Sequence, residues 1–402
     1  MTRPLCYAPW ITTYDTSYGG VAPCCEYKSK DTGSTVNSII PRTKSMSMEE
    51  RFRHPGMEEF KNRLLTKNNL NEIPECRNCS NNNKTGVGSL SSEFDRMVAK
   101  YEEDESYNYK WNVDKFNMIY MDYRESNVCN FTCRMCGPSL SSTHLQIQRS
   151  MNEDDWLFQF ADKKGIIKNI HNVQEYLNAI EDLKVVNFAG GEPMLTDSMF
   201  IILKDLINRK MFNTDISIVT NGSLLHRHEN DLLALLSRFK NVDIAVSIDC
   251  IGEQHNYWRS AKSWHLVEKN VDRILTWTKN QPVGYNRVVK IRTAIGFQNS
   301  FAARYVFDKY SKYIKTVFNQ IHDPGFNLQC IPQEYLDKLV EHWKDYPKVQ
   351  NVFRNITPKD SKQAIEEIRN TKRGIQTKYD KHFKTKVEDV FPEWAEYYKL
   401  IN

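Results

Sequence analysis

A chain of 402 residues can bury a full-sized core and has room for more than one structural unit. Its formal charge is +5, and Lys and Arg run along the chain interleaved with Asp and Glu, the pattern of a solvated surface and not of a nucleic-acid footprint. No apolar run approaches the roughly 20 residues of a membrane span, and the opening MTRPLCYAPW lacks a signal peptide's apolar stretch. A soluble, cytoplasmic protein with neither membrane nor nucleic-acid partner is therefore expected. The ten cysteines are clustered in a large chain without an export signal, which points to metal or redox use instead of disulfides.

Half of the cysteines fall in residues 1–80: Cys6, Cys24, Cys25, Cys76 and Cys79. Between Cys6 and Cys24 a Thr/Tyr-rich stretch ends in Tyr18-Gly19-Gly20-Val21-Ala22-Pro23, which predicts a hairpin returning Cys24 beside Cys6 in the spacing C-x12-G-x4-C. Cys76-Arg77-Asn78-Cys79 is a C-x2-C knuckle. Cys6, Cys24, Cys76 and Cys79 make four thiolates, with Cys25 as a neighbour, and such a set suits either a zinc ribbon or an iron-sulfur cluster. Residues 81–115 read as a linker with a short helix over 91–101 and the acidic run Glu102-Glu103-Asp104-Glu105.

From residue 116 strands and helices alternate. Strands are expected near 116–123, 184–189, 215–220, 242–249, 287–297 and 314–321, with helical apolar spacing at Val173, Tyr176, Leu177 and Ile180 and at Phe200, Leu203 and Ile207. Asp197 and Ser223 are the expected N-caps. Six strand-helix units give an α/β domain with a parallel sheet over residues 116–330, whose functional groups should gather at the carboxyl ends of the strands. The first strand runs into a loop holding Cys129, Cys133 and Cys136 in the spacing C-x3-C-x2-C. Three thiolates this close suit a 4Fe-4S cluster and leave one iron without a protein ligand. Structural zinc takes four, and the nearest fourth candidate, His144, falls in the following helix.

The second strand ends in Gly190-Gly191-Glu192-Pro193, where two glycines permit close backbone approach and Glu192 can lie beside a bound cation. Later strands end in Thr220-Asn221-Gly222, Ser247-Ile248-Asp249, Gly296 and Gln320-Ile321-His322-Asp323-Pro324. His322 and Asp323 are candidate proton acceptors, against plain turn chemistry. Cys250 is a candidate hydrogen-atom donor, against a buried structural thiol. Residues 331–402 read as helices, broken at Pro347, Pro358 and Pro392, that cover the barrel mouth.

The cysteine loop on the first strand with Gly-Gly-Glu-Pro on the second resembles the radical S-adenosylmethionine (SAM) superfamily. The resemblance implies a partial (β/α)6 TIM-like barrel, a 4Fe-4S cluster on Cys129, Cys133 and Cys136, and SAM chelating its open iron. Met135 stands where the family usually has an aromatic residue. Gly190, Gly191, Glu192 and Pro193 would hold the SAM amino group. Thr220, Asn221, Ser247 and Asp249 would serve its ribose and carboxylate, Arg259 its carboxylate and Gly296 its adenine. Residues 6–79 resemble the twitch or SPASM auxiliary-cluster module, here ahead of the barrel instead of after it. That implies a second 4Fe-4S cluster on Cys6, Cys24, Cys76 and Cys79. The expected function is reductive SAM cleavage to a 5′-deoxyadenosyl radical and oxidative modification of a peptide or protein substrate, with a low-potential electron donor such as flavodoxin or ferredoxin as partner. A non-oxidative enzyme acting on a sugar, nucleotide or other small molecule and a metal-stapled RNA-binding module are the alternatives.

Overall fold

The computed structural model describes residues 3–16, 19–28, 38–41, 46–84, 88–107, 109–150, 161–167, 173–322, 325–371 and 377–401. Among the described residues ten strands follow in chain order. They are β1 (Tyr14–Asp15), β2 (Val21–Ala22), β3 (Tyr120–Tyr123), β4 (Val185–Phe188), β5 (Asp215–Thr220), β6 (His226–Arg227), β7 (Asn230–Asp231), β8 (Asn241–Ser247), β9 (Asn286–Ile295) and β10 (Lys315–Gln320). The parallel six-stranded sheet has the order β10-β9-β8-β5-β4-β3, which is the α/β partial barrel expected from the sequence. Among the described residues no helix is long and apolar enough to cross a membrane.

Two compact units make up the chain. The first comprises Met1–Val128, Pro138–Ile218 and Ala234–Val242; the second comprises Cys129–Gly137, Val219–Leu233 and Asp243–Asn402.

In the first unit β1 and β2 pair antiparallel, Tyr14 opposite Ala22 and Asp15 opposite Val21, and Gly19 turns the chain at φ 82°. This is the hairpin that the Cys6–Cys24 spacing predicts. Trp10, Ile11, Phe52, Phe60, Leu64 and Ile73 form its core together with Phe94, Val98 and Tyr101. The last three come from the helix Leu90–Glu103, so the segment read as a linker supplies core side chains. β3 begins at Tyr120, later than the expected 116, because the backbone N–H groups of Asn117 and Ile119 donate to the carbonyls of Trp10 and Ile11. A buried ion network lies beneath the hairpin. The Arg51 guanidinium is 3.1 Å from Asp15 and 3.7 Å from Glu175, and the Tyr176 hydroxyl donates to Asp15.

In the second unit β9 and β10 pair in parallel register, Ile291 opposite Thr316. Alternation along β9 buries Val289, Ile291, Thr293 and Ile295 on one face. The helices Trp264–Lys279 and Ala303–Tyr310 contact the same strand. Residues after 331 form the helices Gln333–His342, Pro347–Arg354, Ser361–Thr371, Thr377–Phe383, Val387–Val390 and Ala395–Ile401. Pro347 and Pro392 start helical turns and do not break them, since the first helical position needs no N–H partner. Phe297, just past the carboxyl end of β9, lies 4.4 Å from the Trp394 ring and 5.6 Å from Tyr397, so these helices pack over that end of the strand. Of the two expected N-caps, Asp197 takes the N-cap position and Ser223 does not. Asp197 precedes the helix Ser198–Asn208 but makes no side-chain cap bond, and no helix starts after Ser223 until Leu232.

Candidate metal and cofactor centre

The loop Cys129–Gly137 belongs to the second unit. A tight turn closes it, with the Cys136 N–H on the Cys133 carbonyl at 2.9 Å, and the Phe131 N–H points at Cys129 Sγ at 3.4 Å. Two braces hold it from outside. Asn130 accepts from Asn221 at 2.8 Å and donates to Ser223 Oγ at 3.0 Å; Asn221 Oδ1 in turn accepts the Ser223 N–H. The second brace is Arg134, only 2 % exposed. Its N–H donates to the Trp258 carbonyl, and its guanidinium lies 4.5 Å from the Tyr257 ring, 5.6 Å from Tyr379 and Phe383, and 2.9 Å from the Asp380 carboxylate.

Cys133 is 8 % exposed, and burial pushes its thiol up despite the Arg259 cation beside it. Arg259 Nη1 stands 3.9 Å from the Cys133 sulfur, and its Nη2 makes a 2.6 Å ion pair with Asp249. Asp249, fully buried, also accepts the Ala294 N–H at 2.7 Å, so its carboxylate is occupied by the protein. Burial raises its carboxyl while Arg259 draws it down. The Nε of Arg259 is buried with no hydrogen-bond partner. An orphaned guanidinium N–H next to a cysteine sulfur fits an anionic group, such as a carboxylate, brought in by a ligand. Met135 packs on the adjoining core. Among the described residues no three His, Cys, Asp or Glu side chains converge as one bound ion requires. The thiolates of a 4Fe-4S cube bind separate irons and stand further apart.

In the first unit the turn after β4 lies against the strand end that leads into the cysteine loop. The Gly191 N–H donates to the Ser126 carbonyl and the Glu192 N–H to Val128, and a Cβ on Gly191 would sit 2.2 Å from the Val128 oxygen. Gly190 has φ 124°, which side-chain-bearing residues rarely adopt. Glu192, 2 % exposed, caps the turn Pro193–Leu195 through the Met194 N–H.

The same unit gathers the N-terminal cysteines. Cys6, Cys24, Cys76 and Cys79 line one apolar cavity with Tyr27, Phe60 and Phe94. Burial pushes the Cys6 and Cys24 thiols well up and Cys76 to about 12. Cys25 is absent from that lining; its thiol, raised by burial to about 12, faces Asp122 and Arg124.

Other expected residues take plainer places. Thr220 Oγ1 accepts the Gly222 N–H, and Ser247 ends β8 half-buried. At Gly296 the position of a side chain is filled by the Phe326 carbonyl, 2.6 Å from where a Cβ would lie, and by Ile321. Cys250 is fully buried in an aromatic core with Trp258 and Phe297, away from any described cavity. His322 is exposed after the edge strand, and Asp323 lies outside the described residues. Asn130, Ser223, Arg134 and Asp380 were missed as loop braces. Asn130 and Arg134 stand inside the cysteine motif, but nothing in the chain signals that a partner more than 200 residues away reaches one of them.

Residues 125–293 match the family model described as the Radical SAM superfamily, and this part of the chain is a radical SAM superfamily domain. Such a domain implies a 4Fe-4S cluster and S-adenosylmethionine as cofactors. The chain is 25% identical over 283 residues to the FeMo cofactor biosynthesis protein NifB of Methanocaldococcus infernus, covering 67% of this chain and 78% of that one. It is 23% identical over 257 residues to the GTP 3′,8-cyclase of Staphylococcus epidermidis, covering 60% and 70%. Among solved structures, native anSMEcpe with bound AdoMet aligns with TM-score 0.37 and 17% identity over 60% of this chain; the alignment spans 62% of that chain, under two thirds of its length. SuiB of Streptococcus suis bound to S-adenosylmethionine aligns with TM-score 0.37 and 14% identity, covering 77% of this chain and 63% of that one.

Proposed function

We propose that this chain is a radical SAM enzyme carrying two clusters, which oxidises a peptide or protein substrate. Cys129, Cys133 and Cys136 would hold a 4Fe-4S cluster with one open iron, and Gly190 to Glu192 and Arg259 would hold SAM. When bound, this pair supplies one-electron cleavage of SAM to methionine and a 5′-deoxyadenosyl radical that takes a hydrogen atom from substrate. The chain's own part is orientation and exclusion of water. Arg259, charged and held by Asp249, has one buried N–H left to receive a carboxylate, and the Asn130 and Arg134 braces hold the loop of the three thiols.

The observation carrying the oxidative reading is that Cys6, Cys24, Cys76 and Cys79 line one cavity. Four thiolates would close all four irons of an auxiliary, twitch-like or SPASM-like cluster, which suits it to accept an electron from a substrate radical and not to bind substrate. Anaerobic reconstitution tests this: about eight irons per chain fits two clusters, whereas about four irons with one zinc removes the second. With SAM, reductant and substrate, a product lighter by two hydrogens is expected; a mass-neutral product overturns the oxidative assignment.

A second reading is a non-oxidative reaction on a nucleotide or other small molecule. The similarity to a GTP 3′,8-cyclase favours it, and the same product mass separates the two.

A further inference from the structure

We infer that Arg292 on β9, with Lys315 beside it on β10, binds an oxyanion of the substrate, a carboxylate or a phosphate. This rests on the reading that the chain is an enzyme acting on a substrate, and it names the charge that the substrate carries.

Alternation places the two side chains. Val289, Ile291, Thr293 and Ile295 are buried on one face of β9, and Ile295 shares a core with Ala303 and Phe307 of the helix Ala303–Tyr310. Val288, Lys290, Arg292 and Ala294 therefore point to the opposite face, away from that helix. The parallel register sets Lys315 opposite Lys290 and Val317 opposite Arg292, and register partners share a face. Lys290 is joined by an ion pair to Asp243 of β8, which brings the third strand to the same face.

Charge makes the case. On this face β8, β9 and β10 carry three cations, Lys290, Arg292 and Lys315, against one acid, Asp243, and Lys290 already holds that acid. Arg292 and Lys315 are both exposed, and among the described residues neither side chain has a hydrogen bond or an ion pair. Like charges opposite each other on neighbouring strands destabilise a sheet, so folding alone gives no reason to set Lys290 beside Lys315. Charge on an edge strand deters pairing with other chains, which accounts for Lys315 taken singly. It does not account for Arg292, because β9 has a strand on each side. A guanidinium without a partner offers a fork that matches the two oxygens of a carboxylate or phosphate, and the neighbouring ammonium adds a second positive charge. Short side chains surround it: Ala294 follows on the same face of β9, and Ala245 and Ser247 follow Asp243 on β8.

The test uses the full chain without cofactors and two probes, an end-capped tetraglutamate peptide for carboxylate and GTP for phosphate, with tetraglutamine as the neutral control. Calorimetry at about 50 mM salt should show an acidic probe binding wild type and no heat from tetraglutamine. Arg292→Gln should weaken that probe about tenfold and Lys315→Gln about threefold, whereas Lys312→Gln, an exposed lysine ahead of β10, should leave it unchanged. The probe that binds more tightly identifies the oxyanion as carboxylate or phosphate. The urea midpoints of Arg292→Gln and Lys315→Gln should equal or exceed that of wild type, because each removes a cation from a crowded face. A lower midpoint with unchanged probe binding assigns the side chains to structure and overturns the proposal. Equal probe affinity in wild type and both variants overturns it as well, as does binding of neither probe. Arg292-dependent binding in a chain that, once reconstituted, leaves SAM intact under dithionite removes the enzyme reading and leaves the anion site standing. SAM cleavage without any Arg292-dependent probe removes the anion site alone.

Discussion

The chain carries two sets of cysteines, and their surroundings differ in kind. The N-terminal four come from widely separated segments, meet in an apolar cavity, and have no cation in its lining. The later three come from one loop, and a buried arginine with an unfilled N–H stands beside the middle thiol. In the first arrangement four thiols share one lining; in the second a buried guanidinium N–H has no hydrogen-bond partner. In the proposed reading the same residue type serves two ends, according to how many thiols meet and whether a cation stands directly beside one of them.

Replacing Cys133 by Ala should have the largest effect. SAM cleavage by the reconstituted variant should drop at least about a thousandfold, measured as 5′-deoxyadenosine, while iron should still load at the proposed N-terminal cluster. Arg259→Met comes next: it strands the buried Asp249 carboxylate, so unfolding stability should fall by about 3–5 kcal/mol in urea titration, and SAM affinity should weaken about tenfold. Cys24→Ser should lower bound iron from about eight to about four, whereas Cys25→Ser should leave it near eight, because Cys25 faces Asp122 and not the cavity. Asp380→Ala should cost about 1–3 kcal/mol and speed amide exchange in residues 133–136, since it frees the Arg134 clamp.

The smallest expected effect is on pH dependence. His255 is fully buried beside the Phe131 and Trp264 rings, and burial lowers its pKa to about 3. The unfolded chain takes up a proton there below its ordinary value of about 6.5, and the folded chain does not. Stability from this group is therefore complete above that pH and is lost as pH falls toward 3, at about 1 kcal/mol per pH unit. His255→Leu should flatten that part of the slope in urea titrations run between pH 6.5 and 4.5.

The six strands were legible because apolar runs and period-two alternation, as in Val289, Ile291 and Ile295, record which face is buried. The cysteine loop and Gly-Gly-Glu-Pro were legible because their chemistry is local. What sequence hid was long-range. Ser223 looked like a helix cap, yet it holds Asn130 in the cysteine loop; Asp380, which no motif singles out, fixes Arg134. Short polar side chains look alike in sequence whether they bind their own turn or a distant loop. The choice of Cys24 over Cys25 rested on glycine spacing, and only the fold shows Cys24 lining the cavity and Cys25 outside it.

Formation of 5′-deoxyadenosine from SAM by the anaerobically reconstituted chain under dithionite tests the central claim most directly. Wild type should cleave SAM to 5′-deoxyadenosine and methionine in equal amounts, and Cys133→Ala should not. A brown, iron-loaded wild-type protein that leaves SAM intact would contradict the assignment of an open iron to the loop of Cys129, Cys133 and Cys136.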